Sequence, residues 1–173
     1  MRSIGAVAGF ALALTSVAAV AGDAKPNDAQ IAHIAYTADQ IDIDAAKLAL
    51  QKSKNKEVRD FAENMVRDHT AVNDQALALV KKLNVTPQDN DTSKALVKQA
   101  DAKQAELKKL EGAAFDKAYA DNEVAYHKAV NNALETVLIP NASNAELKDL
   151  LETGLKIFQG HEQHAEQAAQ SLK

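Results

Sequence analysis

Histidine and carboxylate side chains interrupt the apolar stripes of several helical segments in this 173-residue chain. His69 is the clearest case, because its apolar neighbours recur at alternating spacings of four and three, the repeat that keeps one helix face against partner helices. Its ring should therefore be buried, and a buried ring nitrogen needs a hydrogen-bond partner or a metal ion, since an unmatched polar group in a core costs about 1–3 kcal/mol. The stripe comprises Val58, Ala62, Met65, His69, Val72, Ala76, Leu79 and Leu83.

Two further segments carry reactive side chains at comparable positions. His161 lies in an equally regular stripe near the C-terminus, and His164 follows one turn later on its flank. Glu123 projects into the apolar stripe of the preceding segment, with His127 one turn further along. These two segments are therefore predicted to bring histidine and carboxylate groups into the core.

The first helical segment contributes acids to the predicted core. Asp42 falls within its apolar arc, and Asp44 lies at the margin of that arc. His33 falls on the polar flank of the same segment and is interpreted as a surface residue.

Apolar periodicity and the residues that start and stop helices predict five helical segments. A short polar turn at residues 53–55 makes the first two helices antiparallel neighbours. Ser143 and Glu146 form a predicted capping box at the start of the last helix. The third segment has only a weak apolar stripe, so it should lie across the bundle or connect two helices. The predicted helices span approximately residues 28–53, 55–84, 93–110, 115–138 and 143–172.

These patterns predict an all-α fold, a ferritin-like four-helix bundle with an additional connecting helix. If the third segment crosses the bundle lengthwise, the core acids and histidines lie roughly a dozen residues, or about 20 Å, from the end near Asn55. Four helices would then deliver side chains to one level, where bundle proteins build core metal sites. The residues predicted at this level are Asp42, His69, Glu123, His127 and His161.

Two interpretations of this polar level stay open. It could hold a transition metal, since a mixed histidine and carboxylate set suits Zn, Fe, Cu or Ni better than Ca or Mg. It could equally be a structural or pH-sensitive network that fixes helix register without a metal. A di-iron oxidase site is disfavoured, because it needs four carboxylates and two Glu-x-x-His pairs. Here the spacing from Glu123 to His127 is four, and no matching acid precedes His164.

The pKa of His69 is predicted to be lowered by burial, because its stripe offers few charges. Stability would then fall as the pH drops below about 6.5. Close pairing with Asp42 or Glu123 would reverse this prediction.

Residues 1–21 are predicted to be a secretory signal peptide, with Arg2 before an apolar run and a small-x-small motif at residues 19–21. Residues 22–173 would form one domain, exported to the periplasm or beyond. No later stretch is apolar enough to span a bilayer, and the absence of Cys excludes disulfides and thiolate metal sites. Without Arg2 the chain has 19 basic and 24 acidic residues, a net charge of −5 that argues against nucleic acid as a partner.

No enzymatic motif is recognisable, so a binding protein is favoured over an efficient enzyme. The preferred hypothesis is a periplasmic protein that binds a metal ion in a metal-handling or stress-protective role. The alternative is a helical interaction or chaperone-like module that engages a protein partner, or forms a homo-oligomer, around a metal-free polar core.

Three segments of the chain resemble the family known as Domain of Unknown Function 4142: residues 47–75, 112–130 and 162–168. The resemblance extends from about Ala29 to Leu172 and implies an exported bacterial protein with a ferritin-like fold. It implies no settled activity. In the family pattern the position of His161 is usually aliphatic and the first-helix acid is usually Glu, so this chain departs at both. The family's recurrent polar positions fall on Asp42 or Asp44, Asp68, His69, His127 and His164.

Overall fold

The computed structural model describes residues 25–172, and every regular element within that range is helical. The predicted all-α bundle with an additional connecting helix is confirmed. The predicted signal peptide, residues 1–21, lies outside the described residues. The helices are α1 (Asp28–Lys52), α2 (Lys56–Lys82), α3 (Asp91–Leu107), α4 (Gly112–Ala133), α5 (Ile139–Asn141) and α6 (Ala145–Ser171), with a π-helical turn, Leu134–Leu138, between α4 and α5.

Four long helices form the bundle, and α3 is the connecting helix. α1 packs mainly on α2, and α4 packs mainly on α6. α3 lies along α1 in the same direction: Asn90 donates to the carbonyl of Gln30 near the start of α1, and Lys52 at its end donates to the carbonyl of Lys108. α4 consequently starts at the end of the bundle where α2 starts, as a lengthwise crossing requires.

Asparagine is the N-cap residue of four of these helices, as expected for a side chain that accepts a hydrogen bond from a free backbone N–H. The caps are Asn27, Asn55, Asn90 and Asn144. The predicted capping box of Ser143 and Glu146 is wrong, because Asn144 caps α6 by accepting from Leu147 N at 3.1 Å. Ser143 instead donates to Asp28 of α1 at 2.6 Å.

The core has two apolar parts, separated along the bundle axis by a polar layer. One part surrounds Phe61 and Phe115 near the turn between α1 and α2. The other surrounds Ile31 and Leu151 near the opposite end. Within residues 25–172, no helix is both long and apolar enough to cross a membrane. The polar layer between the two cores is the part of the fold that carries reactive groups.

Candidate metal centre

Four helices meet in the polar layer and bury six ionisable side chains there. All are at most 7 % exposed, and three rings face one another: ring centroids lie 5.8 Å apart for His69 and His127, 5.2 Å for His69 and His161, and 5.7 Å for His127 and His161. The side chains predicted to share one height are thus brought together. The layer contains Asp39 and Asp42 from α1, His69 from α2, Glu123 and His127 from α4, and His161 from α6.

One nitrogen of each ring is held by a hydrogen-bond acceptor on the protein. His69 Nδ1 lies 2.8 Å from Asp39 Oδ1, and His127 Nδ1 lies 2.9 Å from the backbone carbonyl of Glu123. His161 Nε2 lies 3.0 Å from Asp68 Oδ2. A carbonyl or an ionised carboxylate can only accept, so each of these nitrogens carries the proton. The opposite nitrogen of each ring faces away from this acceptor and, when the imidazole is neutral, carries the electron pair that can bind a cation.

Those opposite nitrogens are buried in the layer, and apart from His69 Nε2, which pairs with Asp42, they lack hydrogen-bond partners on the protein. They are Nε2 of His69, Nε2 of His127 and Nδ1 of His161, and the carboxylate oxygens of Asp42 and Oε2 of Glu123 are buried in the same way. Donor atoms of the three histidines lie within 4.8 Å of one another, as do those of Asp42, Glu123 and His127. Buried polar atoms normally have partners, so this cluster is a candidate ligand-binding centre.

Asp42 stands closest to the histidine donors. Its Oδ2 lies 2.6 Å from His69 Nε2 and 3.7 Å from His127 Nε2. Burial favours protonation of Asp42, but the positive charge of His69 and the hydrogen bond with that ring oppose burial, and the pKa of this carboxyl is lowered. Asp42 is therefore the ionised carboxylate of the layer.

The expected lowering of the His69 pKa is wrong. Burial does disfavour the imidazolium, but Asp42 and Asp39 on either side of the ring outweigh burial and raise the pKa of His69 to about 10. The sequence-based expectation failed because it considered the stripe of α2 and not the acids that α1 places against it. In the metal-free protein His69 is thus a cation between two carboxyl groups.

Burial keeps three further groups of the layer uncharged at neutral pH: Glu123, His127 and His161. Burial, reinforced by the charge of Asp42, raises the pKa of Glu123 well above its usual value. Burial lowers the pKa of His127 and lowers that of His161 to about 4, in spite of the hydrogen bond from His161 to Asp68. At neutral pH both of these imidazoles are therefore in the form that binds metals.

Aromatic side chains fix the rings from the two apolar cores. Phe158 stacks on His69 with ring centroids 4.5 Å apart and planes 8° from parallel. Phe61 meets His127 edge to face at 6.4 Å. Such packing restricts ring rotation and excludes water, and both effects favour a preorganised site.

The other predicted site residues lie at or beyond the edge of the layer. Asp68 is partly exposed and contacts both His161 and Arg67. Asp44 is exposed on α1 and accepts from Gln40, so its side chain is not brought to the layer. His164 is half-buried against the ring of Phe61 at 5.2 Å.

Asp39 is the residue that sequence reasoning missed. It is 4 % exposed and holds His69 Nδ1, yet only Asp42 and Asp44 were singled out on its helix. Its spacing was the available signal, because residues three apart share a helix face and Asp39 precedes Asp42 by three. His33, interpreted as a surface residue, is half-buried on α1 outside the layer.

Comparison with known proteins identifies the family. The profile described as domain of unknown function DUF4142 matches residues 13–168 of the chain. The chain belongs to this family. No curated protein matches its sequence significantly.

A solved structure resembles this family member in fold. CopM in the Cu(II)-bound form superposes with a TM-score of 0.63 over 84 % of this chain and 98 % of CopM, at 18 % sequence identity. At that identity the similarity establishes the helical fold that the two proteins share.

Proposed function

We propose that this protein is an exported metal-binding protein that holds one transition-metal ion in its polar layer. The carrying observation is the set of three histidines, each anchored through one nitrogen, whose donor atoms lie within 4.8 Å of one another in the buried layer. Metal-ligating histidines in proteins typically donate their second N–H to a carboxylate or carbonyl in this way. The proposed ligands are His69, His127, His161 and Asp42, with Glu123 as a fifth donor.

The distances in the layer suit a single ion. Ligand atoms in a tetrahedral site with bonds of about 2.0–2.1 Å lie about 3.3 Å apart. Oδ2 of Asp42 lies 2.6 Å from His69 Nε2 and 3.7 Å from His127 Nε2, on either side of that value. Adjustments of side-chain angles, without movement of the helices, would bring these donors into a coordination shell.

The chemistry of the donors favours Cu(II), Zn(II), Ni(II) or Fe(II). Imidazole nitrogens and a carboxylate suit these cations, whereas Cu(I) prefers thiolate and thioether sulfur. The chain has no Cys and only two Met. Cu(II) should bind most tightly because it stands highest in the order of divalent affinities, and CopM, of similar fold, is a Cu(II)-bound protein.

A purely structural polar network explains the layer less well. Such a network is stabilising when all its members are satisfied, and a half-satisfied one is worse than an apolar core. The outer nitrogens of all three rings are paired here, and His69 Nε2 also pairs with Asp42, but the inner nitrogens of His127 and His161 and Oε2 of Glu123 are not paired. This asymmetry supports the metal-binding proposal over the metal-free alternative.

Calorimetric titration tests the proposal. EDTA-stripped protein at pH 7.5 should bind one equivalent of Cu(II), with weaker binding of Zn(II) and Ni(II), and His127→Gln should lose this binding. His33→Gln and His164→Gln are matched controls outside the layer and should bind as the parent does. Dissociation constants weaker than about 100 μM for all these cations, or equal binding by His127→Gln, would overturn the proposal.

Export is the second part of the proposal. It rests on the apolar, Ala-rich run at residues 4–20 after Arg2. Cell fractionation followed by N-terminal sequencing should find the mature chain in the periplasm, starting near Gly22. Retention of residues 1–21 on a cytoplasmic protein would contradict export and leave the metal centre unaffected.

A further inference from the structure

The proposed ligands are unequally enclosed by the bundle. Glu123, Asp42 and His127 are at most 1 % exposed, whereas His161 is 7 % exposed. Beside His161, the side chain of Asp68 is 26 % exposed. The path from the buried donors to solvent therefore passes along the contact between α2 and α6.

The two ring nitrogens of His161 face opposite ends of this path. Nε2 faces outwards to Asp68 at 3.0 Å, and Nδ1 faces inwards without a partner. One side chain thus contacts both a solvent-accessible carboxylate and the interior of the layer. A cation held at Asp68 would be one ligand exchange away from the interior donors.

On the solvent side, Arg67 forms an ion pair with the carboxylate of Asp68. Arg67 Nε lies 2.7 Å from Asp68 Oδ1, and Nη2 lies 3.0 Å from Oδ2. The arginine side chain is 67 % exposed. Pairs in this position contribute little free energy and exchange readily with solvent, so the carboxylate is released whenever Arg67 moves away.

The contact between α4 and α6 offers no equivalent path. Glu162 accepts from the buried amide of Asn131 at 2.8 Å. Lys128 and Glu166 form an ion pair across the same contact at 2.6 Å. Neither carboxylate is hydrogen-bonded to a histidine of the layer as Asp68 is, so a cation captured there would have no direct transfer to an interior ligand.

We propose that the metal ion enters and leaves between α2 and α6, is captured first by Asp68 and is then passed to His161, while Arg67 competes with the ion for Asp68. This inference rests on the proposed metal-binding function. It makes Arg67 and Asp68 determinants of the rate of metal exchange, and for Asp68 this role is added to the hydrogen bond that orients His161.

Stopped-flow mixing of the full-length, metal-free protein with Cu(II) tests the route. The chain has no Trp and three Tyr, and the ring of Tyr126 lies 6.2 Å from that of His127, so quenching of tyrosine fluorescence reports arrival of the ion. Arg67→Gln should raise the association and dissociation rates together and leave their ratio unchanged. Asp68→Asn should lower the association rate about three- to tenfold and reduce its dependence on salt, as removal of a steering charge does.

Lys56→Gln and Asp60→Asn are matched controls. They remove the same charges from an exposed pair on the same helix, two to three turns before Arg67 and Asp68. Both should show the rates of the parent, and circular dichroism should show all variants folded. If Asp68 only held His161 in place, Asp68→Asn would change affinity while Arg67→Gln left both rates unaltered, and the route would be overturned.

The remaining outcomes separate the two proposals. Slow association in Glu162→Gln with parental rates in Asp68→Asn would place the route between α4 and α6 and overturn this inference alone. Failure of the parent protein to bind Cu(II) would overturn the proposed function, and the route with it.

Discussion

At the scale of single residues, the outer partner of each histidine decides which nitrogen faces the interior. Asp39 does this for His69, because its carboxylate fixes the proton on Nδ1 and directs Nε2 towards Asp42. Removal of such partners typically weakens metal binding without removing a ligand.

Asp39→Asn is therefore expected to weaken Cu(II) binding by about 10–100-fold while the helical fold is kept. Asp44→Asn is the matched control, since Asp44 is exposed on the same helix. Calorimetric titration of both variants measures the effect. Equal affinities in Asp39→Asn and the parent would show that Asp39 does not position His69.

His161 should make the metal-free protein sensitive to acid. Burial lowers the pKa of His161 to about 4 in the native state, whereas its pKa in the unfolded chain is about 6.5. Between these two pH values the unfolded chain binds a proton that the native state does not bind. The stabilisation from its neutral form is fully present above 6.5 and is lost as the pH falls towards 4. Urea unfolding between pH 4.5 and 7.5 should show a steeper decline in the parent than in His161→Leu, and parallel curves would contradict the buried, neutral ring.

His69 should have the opposite effect. Its pKa is raised to about 10 by Asp42 and Asp39 against the cost of burial, so the stabilisation is present below 6.5 and is lost as the pH rises through 10. His69→Leu leaves buried carboxylates without their cation, which should cost about 3–5 kcal/mol of unfolding free energy at pH 7. The difference in unfolding free energy between the parent and His69→Leu should decrease from pH 8 to pH 11 in urea titrations without metal. A constant difference would refute the pairing of His69 with Asp42 and Asp39.

At the scale of elements, the junction before α6 is organised by two neighbouring polar residues with separate roles. Asn144 caps α6, and Ser143 ties the loop to Asp28 at the start of α1. The cap satisfies a buried end of a helix that carries His161, whereas the contact of Ser143 is exposed.

Asn144→Ala should therefore lower the unfolding free energy by about 1 kcal/mol. Ser143→Ala should change it by less than about 0.5 kcal/mol, as most exposed substitutions do. Chemical denaturation followed by circular dichroism compares the two. A larger loss for Ser143→Ala would restore the capping box that the sequence predicted.

At the scale of the whole molecule, the polar layer joins four helices between two apolar cores. An ion bound to α1, α2, α4 and α6 together would cross-link the four helices at the polar layer. Because the ion binds only the folded state, its binding free energy adds to stability.

Cu(II) at 100 times its dissociation constant should stabilise the protein by about 2.7 kcal/mol, which raises the melting temperature by about 5–10 °C. EDTA should reverse the shift, and His127→Gln should show none, whereas His33→Gln should show the full effect. Differential scanning calorimetry measures all three. Equal shifts in His127→Gln and the parent would locate the binding outside the layer.

The sequence by itself determined the helices and the level of the site. Apolar periodicity and turn residues act locally, so five helical segments and the connecting role of α3 followed from them. Rise per residue is constant in a helix, so counting from the end of the bundle near Asn55 placed Asp42, His69, His127 and His161 at one level, provided that the third segment crosses the bundle lengthwise.

The tertiary structure alone decided which atoms meet. Asp39 and Asp44 both flank Asp42 on α1, and only the rotation of that helix against α2 sets Asp39 on His69 and Asp44 in solvent. The pKa of His69 was also decided by packing between helices. Coulomb energies depend on the distances between charged groups, and the apolar pattern of one helix does not give its distances to groups on another helix. Local sequence determined which residues lie on the apolar face of each helix, and packing between helices determined which atoms those residues contact.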